Sequence, residues 1–217
     1  MLFRSDVFLI VIAVAVLLGL RHATDPDHLT AVTTLVASGE ERGPGRAARL
    51  GLAWGFGHAT TLFLFGLPIV LANSYLPKTA QEIAELAVGV MIVVLAARLL
   101  VRWHRGELRP HSHTHRTRSA GQAYGIGLVH GVGGSAGVGV LLLAAIHNHV
   151  ESVAALFVFA FFTAISMSIA SASFGYGMSR GPVLTRFMRV APVMGALSLA
   201  FGAWYALGAV GAVPYAF

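Results

Sequence analysis

The chain has 217 residues, 56% of them hydrophobic and 11% charged, with a mean hydropathy of +0.75, whereas about 25% of residues are charged in an ordinary soluble domain. That balance excludes a water-soluble globular fold and implies an integral membrane protein, whose length allows about six spans of roughly 20 residues and almost no soluble domain. The absence of cysteine excludes disulfides and thiolate metal sites and leaves His, Asp and backbone oxygen as metal ligands.

Six apolar segments follow one another at a regular pitch, at about 6 to 37, 49 to 72, 80 to 103, 122 to 146, 151 to 174 and 190 to 212. All are expected to be helices, because open strand edges cannot be satisfied in lipid. The predicted fold is thus an all-α integral membrane protein of six transmembrane helices, with residues 1–217 forming a single transmembrane domain. Arg4 followed by an apolar run also has the outline of a signal peptide, but no clean small-x-small cleavage site follows, so a retained helix is expected.

The first segment carries the most unusual stretch, Arg21-His22-Ala23-Thr24-Asp25-Pro26-Asp27-His28. No polar residue precedes it between Val7 and Leu20, and the chain turns apolar again after it, which places five ionisable side chains at membrane depth. Charges there are costly and mark functional sites. Pro26 has no N–H for the carbonyl of His22, so the helix should break here, with Asp25 as N-cap and Pro26 as the first residue of a second half. Discontinuous helices of this kind in transporters put freed carbonyls and side chains around a cation. Two imidazoles with one or two carboxylates and no sulfur suit nickel, cobalt or zinc better than sodium or calcium. The competing reading is an ion pair of Arg21, Asp25 and Asp27 that fixes a helix end at the membrane surface.

Two more histidines lie within apolar spans: His58, in Trp54-Gly55-Phe56-Gly57-His58-Ala59-Thr60-Thr61, and His130, in Gly127-Leu128-Val129-His130-Gly131. One buried histidine is ordinarily a hydrogen-bonded core residue, but three spans each carrying one point to a shared polar site. The candidate metal ligands are therefore His22, Asp25, Asp27, His28, His58 and His130. Glycine pairs Gly51/Gly55, Gly127/Gly131 and Gly133/Gly137 give small-xxx-small faces for close helix approach. Gly19-Leu20-x-His22 and Gly127-Leu128-x-His130 repeat at an offset of almost half the chain, which suggests two inverted three-helix repeats.

Of the 15 Lys and Arg residues, 12 fall between, or at the adjoining ends of, spans one and two, three and four, and five and six; only Arg4 and Lys78 lie on the other side, and Arg21 lies within the first span. The positive-inside rule makes those loops cytoplasmic and both termini external in a multi-pass protein of the cytoplasmic membrane. Basic charge spread over short loops in this way is no nucleic-acid signal. The long cytoplasmic loop at about 104 to 119 holds His111-Ser112-His113-Thr114-His115, and His111, His113 and His115 form a candidate secondary metal site on this segment.

The stretch from Arg21 to His28 resembles the signature of the nickel/cobalt transporter family, a His, four residues, then Asp-His, here His22, Asp27 and His28. Gly57-His58-Ala59-Thr60 is similar to a second family motif, with Ala59 where serine is usual. The six-span length and the Gly-rich segment from Leu128 to Ser135 look more like the compact, urease-accessory UreH-like nickel permeases than the eight-span form. The resemblance implies a permease importing Ni2+, with Co2+ as second substrate, no cofactor, and a divalent metal ion, the lipid bilayer and nickel-enzyme maturation proteins as partners. Related exporters with His-rich loops leave export through the same site as the alternative. A third reading, from the residues alone, is a membrane acyltransferase using the His-x4-Asp pair His22 and Asp27, although nothing in the chain could hold an acyl-CoA.

Overall fold

The computed structural model describes residues 2–37, 44–72, 77–107, 119–131, 146 and 148–214, and among these every regular element is a helix. They are α1 (Leu2–His22), α2 (Pro26–Ala37), α3 (Pro44–Ala72), α4 (Lys78–His104), α5 (Ala120–His130), α6 (His149–Ser179) and α7 (Gly181–Ala209). Four of them, α3, α4, α6 and α7, are each long and apolar enough to cross a membrane, and α1 with α2 passes the same test as one span bent by 48°. Large apolar side chains such as Leu9, Leu17, Leu64, Ile83, Phe157, Ile169 and Leu197 stand exposed around these helices. So much exposed apolar surface belongs against lipid rather than water.

The break in the first span has a local cause. The Thr24 N–H donates to the Arg21 carbonyl at 2.8 Å and Asp25 N–H to that of His22 at 3.2 Å, which tightens the last turn of α1. Pro26 then opens α2 as its first residue, and the Asp25 carbonyl accepts from Leu29 N–H at 2.9 Å. Proline costs nothing at that position, because the first amides of a helix have no intrahelical acceptor.

α5 begins with a capping box, in which Ser119 Oγ accepts from Gln122 N–H at 3.1 Å and Gln122 Oε1 accepts from Ser119 N–H at 3.3 Å. α6 is capped by Asn148, whose side chain accepts from Val150 N–H. The basic stretch between the fifth and sixth predicted spans is not an irregular connection but is helical from Gly181 onward. The reason is packing: Leu184 and Phe187 are buried with Leu99 and Met178, while Arg186 and Arg189 stay exposed on the other face. The fourth predicted span is described only at its start, where α5 runs to His130 and Gly131 caps it; Gly133 and Gly137 lie outside the described residues.

The most extensive helix contacts are α3 on α6, α4 on α7, α3 on α5 and α1 on α6. Leu62, Leu156 and Phe159 form one apolar cluster with Ala15, and Trp54 and Met167 a second with Ala31 and Val32. Between these two clusters α1, α2, α3 and α5 bring their histidines together.

Candidate metal centre

Each polar side chain of the centre comes from an element end or from a face pressed close by small residues. His22 is the last residue of α1, Asp27 and His28 lie in the first turn of α2, His58 is in the middle of α3, and His130 is the last residue of α5. Close packing sets their spacing. A Cβ on Gly19 would stand 2.7 Å from the Phe159 carbonyl, and one on Gly127 2.8 Å from the backbone nitrogen of His58, so α1 meets α6 and α5 meets α3 almost backbone to backbone. Ser166 on α6 donates its hydroxyl to the Gly19 carbonyl at 2.9 Å, satisfying an acceptor near the C-terminus of α1.

The five side chains form one buried constellation. His28, His58 and His130 are fully buried, and His22 and Asp27 nearly so. His22 Nε2 lies 3.0 Å from His58 Nε2, and His130 Nε2 lies 3.2 Å from Asp27 Oδ2. The His28 ring is between these two pairs, its centroid 4.2 Å from that of His22 and 4.2 Å from that of His130. Asp27 Oδ1 is 3.2 Å from His28 Nδ1, close enough to attract it but without hydrogen-bond geometry, and neither nitrogen of His28 has a hydrogen-bond partner among the described residues.

Asp25 takes a different place from Asp27. Its Oδ2 stands 3.2 Å from His22 Nδ1, and its Oδ1 stands 3.8 Å from Arg21 Nη2 on the exposed side. A carboxylate behind Nδ1 favours the tautomer that leaves Nε2 its lone pair, the usual arrangement behind a ligating histidine. Arg21 is 74% exposed at its side chain and Asp25 15%, so their pair is a surface contact of little energy. Asp27 does not orient His22, as an acyltransferase dyad needs, but faces His28 and His130.

Two groups of donors have metal-ligand spacing, His22 with His28 and His58, and Asp27 with His28 and His130, each mutually within 4.8 Å. Seven buried side-chain polar atoms have no partner among the described residues, and five of them belong to His28, His58, His130 and Trp54. Leaving such an atom unsatisfied costs about 1–3 kcal/mol; on His58 and His130 that atom is Nδ1, not the Nε2 that meets the neighbouring side chain, so it is at His28 that a cation would supply the missing partner. Trp54 was not among the residues singled out from the sequence. It packs on His28 at 5.8 Å and His130 at 5.6 Å between ring centroids; its position four residues before His58 in a helix was the signal that it shares that face. His111, His113 and His115 lie outside the described residues.

An all-helical membrane protein with a buried, sulfur-free His/Asp constellation at a helix break belongs to the class of transition-metal permeases. The chain matches the NicO family, described as a high-affinity nickel-transport protein, over residues 8–122, and it belongs to that family. It is a nickel permease of the membrane and not an enzyme. It is also similar to the urease accessory protein UreH of Bacillus sp. (strain TB-90), 26% identical over 167 residues that cover 72% of each chain. No solved structure matches it.

Proposed function

We propose that the protein imports Ni2+, with Co2+ as a second substrate, across the cytoplasmic membrane through His22, Asp27, His28, His58 and His130. The observation that carries this reading is the pair of donor triads at metal-ligand spacing inside the break of the first span. An inside-negative potential of about 100 mV contributes about 4.6 kcal/mol for a divalent ion, enough to drive uptake without ATP. Asp25 acts behind His22, so Asp25→Asn is expected to weaken Ni2+ binding about 10- to 100-fold, measured by titration of the purified protein; an unchanged affinity would remove Asp25 from the centre.

The chain is read as one permease domain of six spans in two inverted three-helix halves. Supporting the repeat, α1 and α5 both end on the histidine of a Gly-Leu-x-His sequence. His22 meets Phe159 of α6 at 5.7 Å between ring centroids, and His130 meets Trp54 of α3 at 5.6 Å. α3 pairs with α6 and α4 with α7, as exchange of the halves requires. The charge distribution supports cytoplasmic basic loops and external termini. The name of the UreH relative supports delivery of the imported ion to nickel-enzyme maturation proteins.

The test is Ni2+ accumulation in proteoliposomes of known protein orientation under an inside-negative potential. Wild type should accumulate the ion, and His22→Ala and Asp27→Asn should not. Accumulation only when the cytoplasmic face points outward would reverse the direction to export, the reading that the His-rich loop favours. No movement in either orientation would end the permease reading of this site.

A further inference from the structure

The donors fall into two groups of three that share His28, and not into one group of five. Two ligand atoms each about 2.0–2.1 Å from one ion stand about 2.9 Å apart at a right angle and about 3.4 Å apart at a tetrahedral angle. The His22–His58 separation of 3.0 Å and the Asp27–His130 separation of 3.2 Å both lie in that range. Each pair is thus already spaced as two adjacent ligands of its own ion. His28 lies at the same ring distance, 4.2 Å, from a member of each pair, and neither of its nitrogens has a hydrogen-bond partner among the described residues.

We propose that the centre contains two successive ion positions, an all-imidazole one formed by His22, His28 and His58 and a carboxylate one formed by Asp27, His28 and His130, and that His28 hands the ion from one to the other. The inference rests on the permease reading above and deepens it. A neutral imidazole has one lone pair available to a metal, because its other nitrogen carries the proton. His28 can therefore complete only one position at a time, and the centre holds one ion and not two.

The two positions differ chemically. Three neutral imidazoles select a nickel-type ion over the hard cations Mg2+ and Ca2+, which prefer oxygen. The position with Asp27 adds a negative charge, and with it attraction for any cation. An ion held at a single deep position would leave slowly; two positions sharing a ligand let it change partners one at a time, never losing all of its ligands. His22 and His130 end separate helices, α1 and α5, so the two positions can also move relative to each other when those helices shift.

The experiment compares wild type with His58→Gln and His130→Gln in the full-length protein in lipid nanodiscs, all three with His111, His113 and His115 replaced by alanine so that the loop takes up no Ni2+. Glutamine keeps the polar character and most of the buried volume. Equilibrium dialysis gives the number of Ni2+ bound, and the visible absorption of bound Co2+ reports which donors surround it. Expected are one ion in wild type and one in each variant, with affinity reduced by about 10- to 100-fold. The Co2+ spectra of the two variants should differ, that of His130→Gln being nitrogen-only and that of His58→Gln containing a carboxylate oxygen. Potential-driven uptake should be lost in both, because each retains a position but no second one. Should His58→Gln fail to fold, His22→Gln removes the same position from another helix and replaces it.

Two ions in wild type, absent binding in both variants, identical spectra, or uptake at the wild-type rate in either variant would each overturn the handover. If wild type itself bound no Ni2+ and carried none, the permease reading of this site would fail along with it; if wild type binds and transports normally, the variants judge the handover alone.

Discussion

Replacing His28 with leucine is expected to abolish Ni2+ binding and uptake, by at least about 100-fold, while leaving the thermal stability of the ion-free protein unchanged or higher. The first half of the expectation follows from His28 being common to both donor groups: without it each group retains two donors, too few to strip a divalent ion of its water. The second half follows from the state of the side chain. His28 is fully buried, and neither ring nitrogen has a hydrogen-bond partner among the described residues, so the ion-free protein bears about 1–3 kcal/mol for an unsatisfied imidazole nitrogen, the contact of Nδ1 with Asp27 Oδ1 offsetting part of the cost at the other. Leucine removes that cost, is close enough in volume to avoid a large cavity, and packs against Trp54; the residual misfit should cost less than about 1.5 kcal/mol. Thermal unfolding in detergent, scanned with and without Ni2+, checks both halves. Wild type should gain stability as Ni2+ is added and His28→Leu should not. A variant that unfolds at much lower temperature would make His28 a structural residue, and the centre would have to be drawn without it.

Much of the candidate site is legible in the sequence because the membrane makes polar residues conspicuous. His22, Asp27, His28, His58 and His130 stand out in apolar segments, and Pro26 announced the break that lets residues separated by only a few positions face each other. Spacing could not reveal which atoms would meet, because the 48° bend between α1 and α2 removes the helical period that relates one side chain to the next. Asp25 and Asp27 look alike in sequence, and only the fold puts one behind His22 and the other against His130. Trp54 went unmarked because an aromatic residue in an apolar span is unremarkable until two imidazoles are found against it. The start of α7 is hidden in the sequence for a similar reason. Arg180, Arg186 and Arg189 read as a loop by charge, but Leu184 and Phe187 between them anchor a helix. Seen in one dimension, a basic face and a basic connection are the same string.

The second large effect concerns residues outside the candidate donor set. Gly57 on α3 and Gly127 on α5 press against each other's helix. A Cβ on Gly57 would overlap the Tyr124 carbonyl and stand 2.9 Å from Leu128 N, and a Cβ on Gly127 would overlap the Trp54 carbonyl and stand 2.8 Å from His58 N. The obstacles are backbone atoms, which cannot swing aside as side chains can, so Gly127→Ala must push α5 away from α3. The displacement acts directly on His130, three residues on at the end of α5, and on His58, whose backbone is the obstacle. We expect Gly127→Ala to destabilise the protein by about 1–3 kcal/mol, as overpacking does, and to reduce uptake by at least about tenfold, because a shift of about 1 Å at ligand atoms spoils their geometry. Gly125→Ala, two residues away on the same helix with no atom of the described residues within 4 Å of the added carbon, should leave uptake unchanged and, through helix propensity, stability unchanged or higher by up to about 1 kcal/mol. Uptake assays and thermal unfolding on the pair separate contact from composition. If Gly125→Ala and Gly127→Ala behaved alike, the glycines of α5 would serve general helix packing, and the positioning of His58 and His130 would have to come from Trp54 and the apolar cluster around it.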